Sequence, residues 1–217
     1  MNVEDRYGIT PLHLACQVGN FEGVQVLLTA QHIRLDIKDG NGDTPLHEAC
    51  FHGKEEITEL LLNEMKKTNR PALTVKNDLG LTPFHLACSK GHVNIANHLL
   101  EYSTETQLKL VQAVDNEGET PLHLACQNDN SEIVRILLEH KADIFACTSY
   151  GVTPVHVAAQ YGCQTVLRMF FNHSRPKKLV NVTDNFSQTP LHFAAENGKH
   201  EMMELLLKKY VLYTVHY

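Results

Sequence analysis

The heptapeptide TPLHEAC occupies residues 44–50, and the chain carries five close copies of it. The copies are TPLHLAC at Thr10, TPFHLAC at Thr82, TPLHLAC at Thr120, TPVHVAA at Thr153 and TPLHFAA at Thr189. Successive Thr-Pro pairs lie 34, 38, 38, 33 and 36 residues apart. A period in this range is typical of stacked supersecondary units, so the repeat determines the fold before any local motif does.

Each repeat contains the local signals of a helix pair. Thr before Pro indicates a helix start, because the hydroxyl caps an early N–H and proline fits the first helical position. The apolar stretch that follows ends near a glycine suited to a left-handed C-terminal cap. These glycines are Gly19, Gly53, Gly91, Gly162 and Gly198. A second stretch with helical spacing follows, as in EITELLL, and turn residues such as DGNG at Asp39 precede the Thr-Pro pairs.

One such pair cannot bury both of its apolar faces, whereas stacked pairs bury them against each other. The pattern resembles the ankyrin repeat, whose T-P-L-H-x-A signature and period it shares, and six matches in register cover nearly all of the chain. The resemblance implies an all-α, ankyrin-type solenoid of stacked helix-turn-helix repeats with short β-turn fingers. We expect residues 1–217 to form a single array of about six repeats.

Three features depart from a regular repeat. Asn128-Asp129 stands where the fourth repeat should have its capping glycine, and Ser187 replaces the turn glycine of the sixth. Asn and Asp are the next-best residues for left-handed backbone, so we expect a strained but intact turn at Asn128-Asp129. Extra residues, in NEMKKTNRPALTV, EYSTETQLKLVQAV and NHSRPKKLVNV, follow three of the outer helices. They are contact surface or tolerated loop drift, and Leu108, Leu110 and Val111 indicate that the second docks onto the stack.

A histidine repeated beside a cysteine raises three alternatives: a metal site, a set of thiol nucleophiles, or a structural role. Equivalent positions in neighbouring repeats lie about 8–10 Å apart. Imidazoles at that spacing do not converge on one zinc ion at about 2.0–2.1 Å, and thiols at that spacing are too far apart for a disulfide. We therefore expect no metal and no cofactor. The resemblance implies that each histidine bridges its own turn.

The cysteines of the repeat are Cys16, Cys50, Cys88 and Cys126, with Ala159 and Ala195 at the same place in the last two repeats. A position that accepts Cys or Ala favours a small filler between helices. The remaining cysteines, Cys147 and Cys163, have no histidine placed in the sequence to activate them. The common nucleotide-binding, hydrolase and metalloprotease motifs are absent from the sequence, so we expect a protein that is not an enzyme.

Composition restricts the class of partner. A formal net charge of −6 provides no basic field for a phosphate backbone, which argues against nucleic acid. No apolar run reaches the roughly 18 residues of a membrane span, so direct membrane insertion is not expected. The acidic start MNVEDRYG does not resemble a signal peptide, and six cysteines in 217 residues are too few for a disulfide scaffold. We expect a cytoplasmic location, with the nucleus as the alternative.

The resemblance implies binding of another protein on the concave side, through turn tips and inner helices. Turn tips are ordinarily polar, yet large apolar or amphipathic side chains occur there, and two more occur on adjoining inner-helix positions. The candidate partner-binding residues are Tyr7, Phe51, Leu79, Tyr150, Tyr161 and Phe186. Aromatic residues dominate interface hot spots, although single exposed apolar residues are also ordinary. The fourth repeat is polar throughout this face.

Two rival functions remain open. The first repeat begins almost at its turn, and the chain closes on the apolar-rich MMELLLKKYVLYTVHY, whereas terminal repeats normally expose polar outer faces. This indicates a segment of a longer protein. It allows an assembly role in a larger array, such as the cytosolic region of a cation channel or a scaffold protein, with packing against further repeats of the parent chain. The second rival is an accessory domain of an enzyme.

Overall fold

The computed structural model describes residues 2–67, 73–103, 107–174 and 176–214, with the side chains described as far as residue 209. These residues form fourteen α-helices and no β-strand. The chain divides into two compact units, Met1–Asn116 and Glu117–Tyr217, which are described separately.

The described residues of the first unit form three helix pairs and one additional short helix. Its helices are α1 (Pro11–Val18), α2 (Phe21–Leu28), α3 (Pro45–Phe51), α4 (Glu55–Lys67), α5 (Pro83–Lys90), α6 (Val93–Tyr102) and α7 (Gln107–Val111). The inner helices α1, α3 and α5 pack side by side, and the outer helices α2, α4 and α6 pack in a second layer. The expected stacking of helix pairs is confirmed within this unit.

The second unit repeats this arrangement. Its helices are α8 (Pro121–Gln127), α9 (Ser131–Glu139), α10 (Pro154–Tyr161), α11 (Gln164–His173), α12 (Pro176–Val180), α13 (Pro190–Glu196) and α14 (His200–Thr214). Inner helices α8, α10 and α13 form one layer, and outer helices α9, α11 and α14 form the other.

The Thr-Pro signal begins all six inner helices, as expected. Each threonine is an extended N-cap residue with proline after it. The threonine N–H donates to Nδ1 of the histidine three residues later, at 3.0–3.2 Å. The threonine Oγ1 lies 2.8–2.9 Å from the same nitrogen. Histidine therefore takes the place that Glu or Gln has in a capping box.

Left-handed backbone occurs where glycine was expected and at both departures from glycine. Gly19 and Gly162 end α1 and α10 with φ of 84° and 82°. Asp129 follows α8 with a φ of 53°, and Ser187 occupies the sixth turn with a φ of 62°. The strained but intact turn expected at Asn128-Asp129 is confirmed, with Asp129 as the left-handed residue.

The small residues of the repeat lie in the core, with one exception. Cys16, Cys50, Cys88, Cys126 and Ala159 are fully buried, whereas Ala195 in the last repeat is exposed. No following inner helix covers Ala195 within the described residues, so its filler role is lost there.

Two of the insertions add a short helix each. Leu110 and Val111 of α7 are buried, as expected for a segment that docks back, but Leu108 is 51% exposed. The prediction for Leu108 was wrong, because a helix of 3.6 residues per turn places residue 108 almost opposite the buried residue 110. In the first insertion, residues 68–72 lie outside the described residues.

Candidate partner-binding surface

The turns that precede the inner helices are built by local hydrogen bonds and linked to one another. Asp39 Oδ1 accepts from the N–H groups of Asn41 and Asp43, both at 2.9 Å. Successive tips then join through the backbone: Gly40 N–H donates to Tyr7 O at 2.7 Å, and Asp78 N–H donates to Asn41 O at 3.0 Å. In the second unit, Asn185 N–H donates to Tyr150 O at 3.0 Å. These bonds hold neighbouring tip side chains in register.

Glycine is required in these turns by close approach as well as by backbone angle. Gly42 has a φ of 77°, and a Cβ there would lie 2.4 Å from Asp78 Oδ1 of the next turn. Because the second and third turns of the first unit approach this closely, no side chain fits at residue 42.

Four of the repeated histidines, His13, His47, His123 and His156, connect the start of their inner helix to the following turn. Because His47 Nδ1 accepts the Thr44 N–H, its proton lies on Nε2, which donates to Leu81 O at 3.1 Å. The same bridge joins His13 to Asp43 O at 3.0 Å and His156 to Gln188 O at 3.1 Å. The expectation that each ring bridges its own turn is confirmed by the bond from the threonine N–H to Nδ1, and the bond from Nε2 adds a link to the following turn. Both ring nitrogens of these histidines have protein partners.

Burial changes the acid–base behaviour of the repeated side chains. It lowers the pKa of His47 to about 4 and lowers the pKa of His156, which keeps both rings neutral at neutral pH. It raises the pKa of the Cys163 thiol to about 12, and that thiol donates to Cys126 O at 3.0 Å. A buried, protonated thiol is a poor nucleophile.

All six candidate partner-binding side chains are exposed. In the first unit, Tyr7 and Leu79 lie on turn tips and Phe51 ends α3; in the second, Tyr150 and Phe186 lie on turn tips and Tyr161 ends α10. Phe51 and Leu79 line one cleft. Tyr161 contacts the preceding inner helix, α8, because its OH accepts a hydrogen bond from Gln127 Nε2 at 2.9 Å.

The cleft of the first unit has acidic and apolar walls and a volume of about 610 Å³. Asp43, Glu48 and Asp78 supply the acidic wall, and Phe51 and Leu79 belong to the apolar wall. We call it the acidic cleft. It lies among the second and third turns and the inner helices α1, α3 and α5 of the first unit.

Three carboxylates gather at one side of the acidic cleft. Oxygens of Asp39, Asp43 and Glu48 lie within 4.8 Å of one another. Burial, with the charges of Asp43 and Asp39, raises the pKa of Glu48 to about 7. Ca²⁺ takes about 6–8 oxygen ligands, and Asp39 Oδ1 already accepts two backbone N–H groups. The three carboxylates therefore supply negative charge to the acidic cleft but too few free oxygen ligands to complete the coordination shell of Ca²⁺.

Sequence reasoning named Phe51 and Leu79 but missed Glu48, although the signal lay in the opening heptapeptide. The other five copies have an apolar residue at that position: Leu14, Leu86, Leu124, Val157 and Phe193. Leu86, Leu124 and Val157 are 8%, 7% and 5% exposed, so the position is ordinarily part of the core. A carboxylate there is a departure that packing does not explain.

A second uncovered region lies on the first repeat. Leu14, Val18 and Val26 are 47%, 68% and 69% exposed and line an open groove of about 730 Å³ between α1 and α2. Leu14 occupies the position that is buried at Leu86, Leu124 and Val157.

Comparison with known proteins identifies the repeat. A family model described as ankyrin repeats (3 copies) matches residues 1–72, 69–146, 106–181 and 143–215. No curated protein matches the chain. Across the described ranges, no helix is both long and apolar enough to cross a membrane.

Proposed function

The chain belongs to the ankyrin-repeat family, whose repeats generally serve as protein–protein interaction modules, and from this premise we propose that it binds a partner protein through turn tips and inner helices. The family is typically non-catalytic, and we propose a non-catalytic role here. The partner surface of the first unit comprises Tyr7, Phe51 and Leu79, and that of the second comprises Tyr150, Tyr161 and Phe186.

The distribution of exposed aromatic residues supports this proposal. Among the side chains that the structure describes, the exposed aromatic residues are Tyr7, Phe51, Tyr150, Tyr161 and Phe186. Each lies on a turn tip or at the C-terminal end of an inner helix. Aromatic side chains are enriched at interface cores, and their restriction to these positions distinguishes them from scattered surface residues. The single six-repeat array and the cytoplasmic location remain predictions.

Capture experiments with two triple variants test the proposal unit by unit. One variant carries Tyr7→Ala, Phe51→Ala and Leu79→Ala; the other carries Tyr150→Ala, Tyr161→Ala and Phe186→Ala. A control variant, Leu108→Ala with Leu207→Ala, removes exposed apolar residues from α7 and α14. Circular dichroism first establishes that all variants fold. We expect a partner retained by wild type and control to be lost from at least one triple variant. Equal retention by all four proteins contradicts the proposal.

Assembly with a further repeat is the second candidate function, and the groove at Leu14, Val18 and Val26 favours it. Equivalents of Leu14 are buried on inner helices that have a preceding inner helix beside them: Leu86 lies on α5, which packs on α3, and Val157 lies on α10, which packs on α8. The groove therefore has the composition of an inter-repeat surface. This candidate predicts concentration-dependent self-association in sedimentation velocity that Val18→Glu with Val26→Glu abolishes. A monomer at all concentrations contradicts it.

A further inference from the structure

We propose that the acidic cleft binds a linear segment of a partner protein that places an arginine side chain on Asp43 and Glu48 and an apolar side chain on Phe51 and Leu79. The inference rests on the proposed function and deepens it, since it names the chemistry of the partner at one part of the surface. We take the occupant to be a peptide segment because an open cleft of about 610 Å³ has room for a few side chains, which one linear segment can supply.

Within the described residues, the lining of the acidic cleft contains three carboxylates and no lysine or arginine. Asp43, Glu48 and Asp78 line it, and Asp39 adds a further carboxylate beside them. No lysine or arginine forms an ion pair with these four residues in the described part of the chain. His52 Nε2 lies 3.3 Å from Glu48 Oε2, but burial and nearby cationic residues lower the pKa of His52. The imidazole is therefore largely neutral at neutral pH and leaves the negative charge in place.

The geometry favours arginine over a smaller cation. A guanidinium group presents five N–H donors in one plane and pairs with carboxylates through two parallel bonds. Oxygens of Asp43 and Glu48 lie within 4.8 Å of each other, a separation that one guanidinium spans. The Glu48 side chain is only 15% exposed, so an ion pair formed there is screened less by salt than one on the surface.

The apolar wall places an apolar residue of the same segment beside the arginine. Leu79 is 66% exposed and Phe51 is 40% exposed at the rim of the acidic cleft. Lys90 Nζ lies 4.4 Å from the centroid of the Phe51 ring, so one face of that ring already contacts a cation. A ligand cation is therefore directed to the carboxylates, and an apolar side chain covers Leu79 and the remaining surface of Phe51.

Selection from a phage-displayed library of random decapeptides tests the inference with the full chain. Selection in EDTA prevents a metal ion from bridging peptide and protein. We expect arginine to be enriched at one position of the retained peptides, with an apolar residue next to it. On the Asp43→Asn, Glu48→Gln variant, the arginine enrichment should vanish, and a selected peptide should bind at least about tenfold more weakly in fluorescence anisotropy.

Two further variants make the result specific. Glu59→Gln with Glu204→Gln removes the same number of carboxylates from exposed positions on α4 and α14 and should preserve the enrichment. Phe51→Ala with Leu79→Ala should remove the apolar preference and retain arginine. Circular dichroism and the thermal midpoint of each variant show that it is folded before selection.

Failure of this inference is distinguishable from failure of the proposed function. Peptides retained without arginine, or with arginine on both wild type and the Asp43→Asn, Glu48→Gln variant, overturn the acidic-cleft inference. A partner captured through the candidate residues would then still support the proposed function. If wild type retains no peptide at all, the inference is also overturned, since a cleft that accepts linear segments must select from such a library. Equal partner capture by wild type and both triple variants overturns the proposed function itself.

Discussion

A carboxylate oxygen of Glu48 lies within 4.8 Å of one from Asp43, although Glu48 occupies an inner-helix position that is apolar in the other five repeats. Asp43 precedes the Thr44 cap, and its Oδ1 accepts from Asn77 Nδ2 of the next turn at 2.9 Å. Two like charges are thus held together by the turn and the helix that follows it. Local rules broken without a gain in packing are typical of functional sites.

The second repeat should become more stable when Glu48 loses its charge. A folded pKa of about 7 exceeds the unfolded value of about 4.3, so the folded state binds the proton more tightly. The stability that Glu48 contributes is therefore present below the unfolded pKa and is lost as pH rises through about 7. We expect Glu48→Gln to raise the free energy of unfolding at pH 8 by about 1 kcal/mol, seen as an increase of roughly 2–4 °C in Tm.

The matched control for Glu48→Gln is Glu59→Gln, which changes an exposed glutamate on α4. Its Tm should follow that of the wild type at both pH 5 and pH 8. A Glu48→Gln variant with the same difference in Tm between pH 5 and pH 8 as wild type would show that Glu48 titrates normally.

The buried histidines produce a pH dependence of the opposite sign. Because the folded pKa of His47 is about 4 and the unfolded value is about 6.5, the unfolded chain takes up the proton first. The stability from the neutral ring is present above pH 6.5 and declines as pH falls towards 4. Between pH 7 and pH 5, protonation of Glu48 in the folded state raises the stability and partly masks the decline caused by His47. The decline is therefore best measured in the Glu48→Gln background, which lacks this carboxylate. Urea midpoints in that background should fall steadily from pH 7 to pH 5.

His47→Gln in the same background separates this effect from general acid sensitivity. The variant loses the bridge to Leu81 O, so it should be less stable at pH 7 by about 1–3 kcal/mol. Its urea midpoint should also change less between pH 7 and pH 5. An unaltered pH slope would assign the acid sensitivity to other groups, such as His156, whose pKa burial also lowers.

Sequence reasoning predicted the helix pairs because their signals are local. Thr-Pro, the left-handed residue after each inner helix and the 3.6-residue spacing all act within one repeat. The acidic cleft was missed because Asp39, Asp43 and Glu48 meet only when a turn folds against its helix, and Leu79 joins them from the next repeat. The raised pKa of Glu48 arises mainly from burial, and the spacing of the repeats does not predict how deeply an individual carboxylate is buried. Glu48 was nevertheless visible as the one charged residue among six equivalent positions.

Ser187 provides a test of backbone strain in the sixth turn. Its φ of 62° is a left-handed conformation that residues other than glycine, Asn and Asp seldom adopt. We expect Ser187→Gly to stabilise the second unit by about 0.5–1 kcal/mol in urea denaturation, since glycine relieves the strain but loses more entropy on folding.

The reciprocal change is Gly151→Ser in the preceding turn. A Cβ at Gly151 would lie 2.5 Å from Asn185 Oδ1 and 2.7 Å from Asn185 N, so this variant should be destabilised. Stabilisation by both substitutions, or by neither, would indicate that φ does not control the stability of these turns.

The second insertion contains a matched pair of leucines. Leu110 is fully buried and Leu108 is 51% exposed on the same short helix, α7. Leu110→Ala should lower the free energy of unfolding by about 2–5 kcal/mol, whereas Leu108→Ala should change it by less than about 0.5 kcal/mol. Chemical denaturation of the two variants measures both values. Similar small losses would mean that α7 does not dock onto the first unit in solution.

The affinity of the acidic cleft for an arginine-containing peptide should rise between pH 6 and pH 8. Glu48, with a pKa of about 7 in the free protein, must be ionised to pair with the guanidinium. Its ionised fraction grows about tenfold over this interval, and the affinity should increase by up to the same factor. Fluorescence anisotropy with a peptide selected as above measures the change at constant ionic strength.

Other titrating groups near Glu48 do not produce the same profile. Asp39, Asp43 and Asp78 approach from the turns, His47 and His52 lie on α3, Cys16 lies on α1, and Lys90 comes from α5. Burial lowers the pKa of His47 to about 4, well below the interval, and keeps the Cys16 thiol protonated by raising its pKa. Burial and nearby cationic residues lower the pKa of His52, which moves its protonation towards the acid end of the interval. Burial also raises the pKa of Asp43. The Glu48→Gln variant should therefore bind the peptide more weakly and with almost no dependence on pH. If its affinity still rises with pH as in wild type, Glu48 is not the group that receives the arginine.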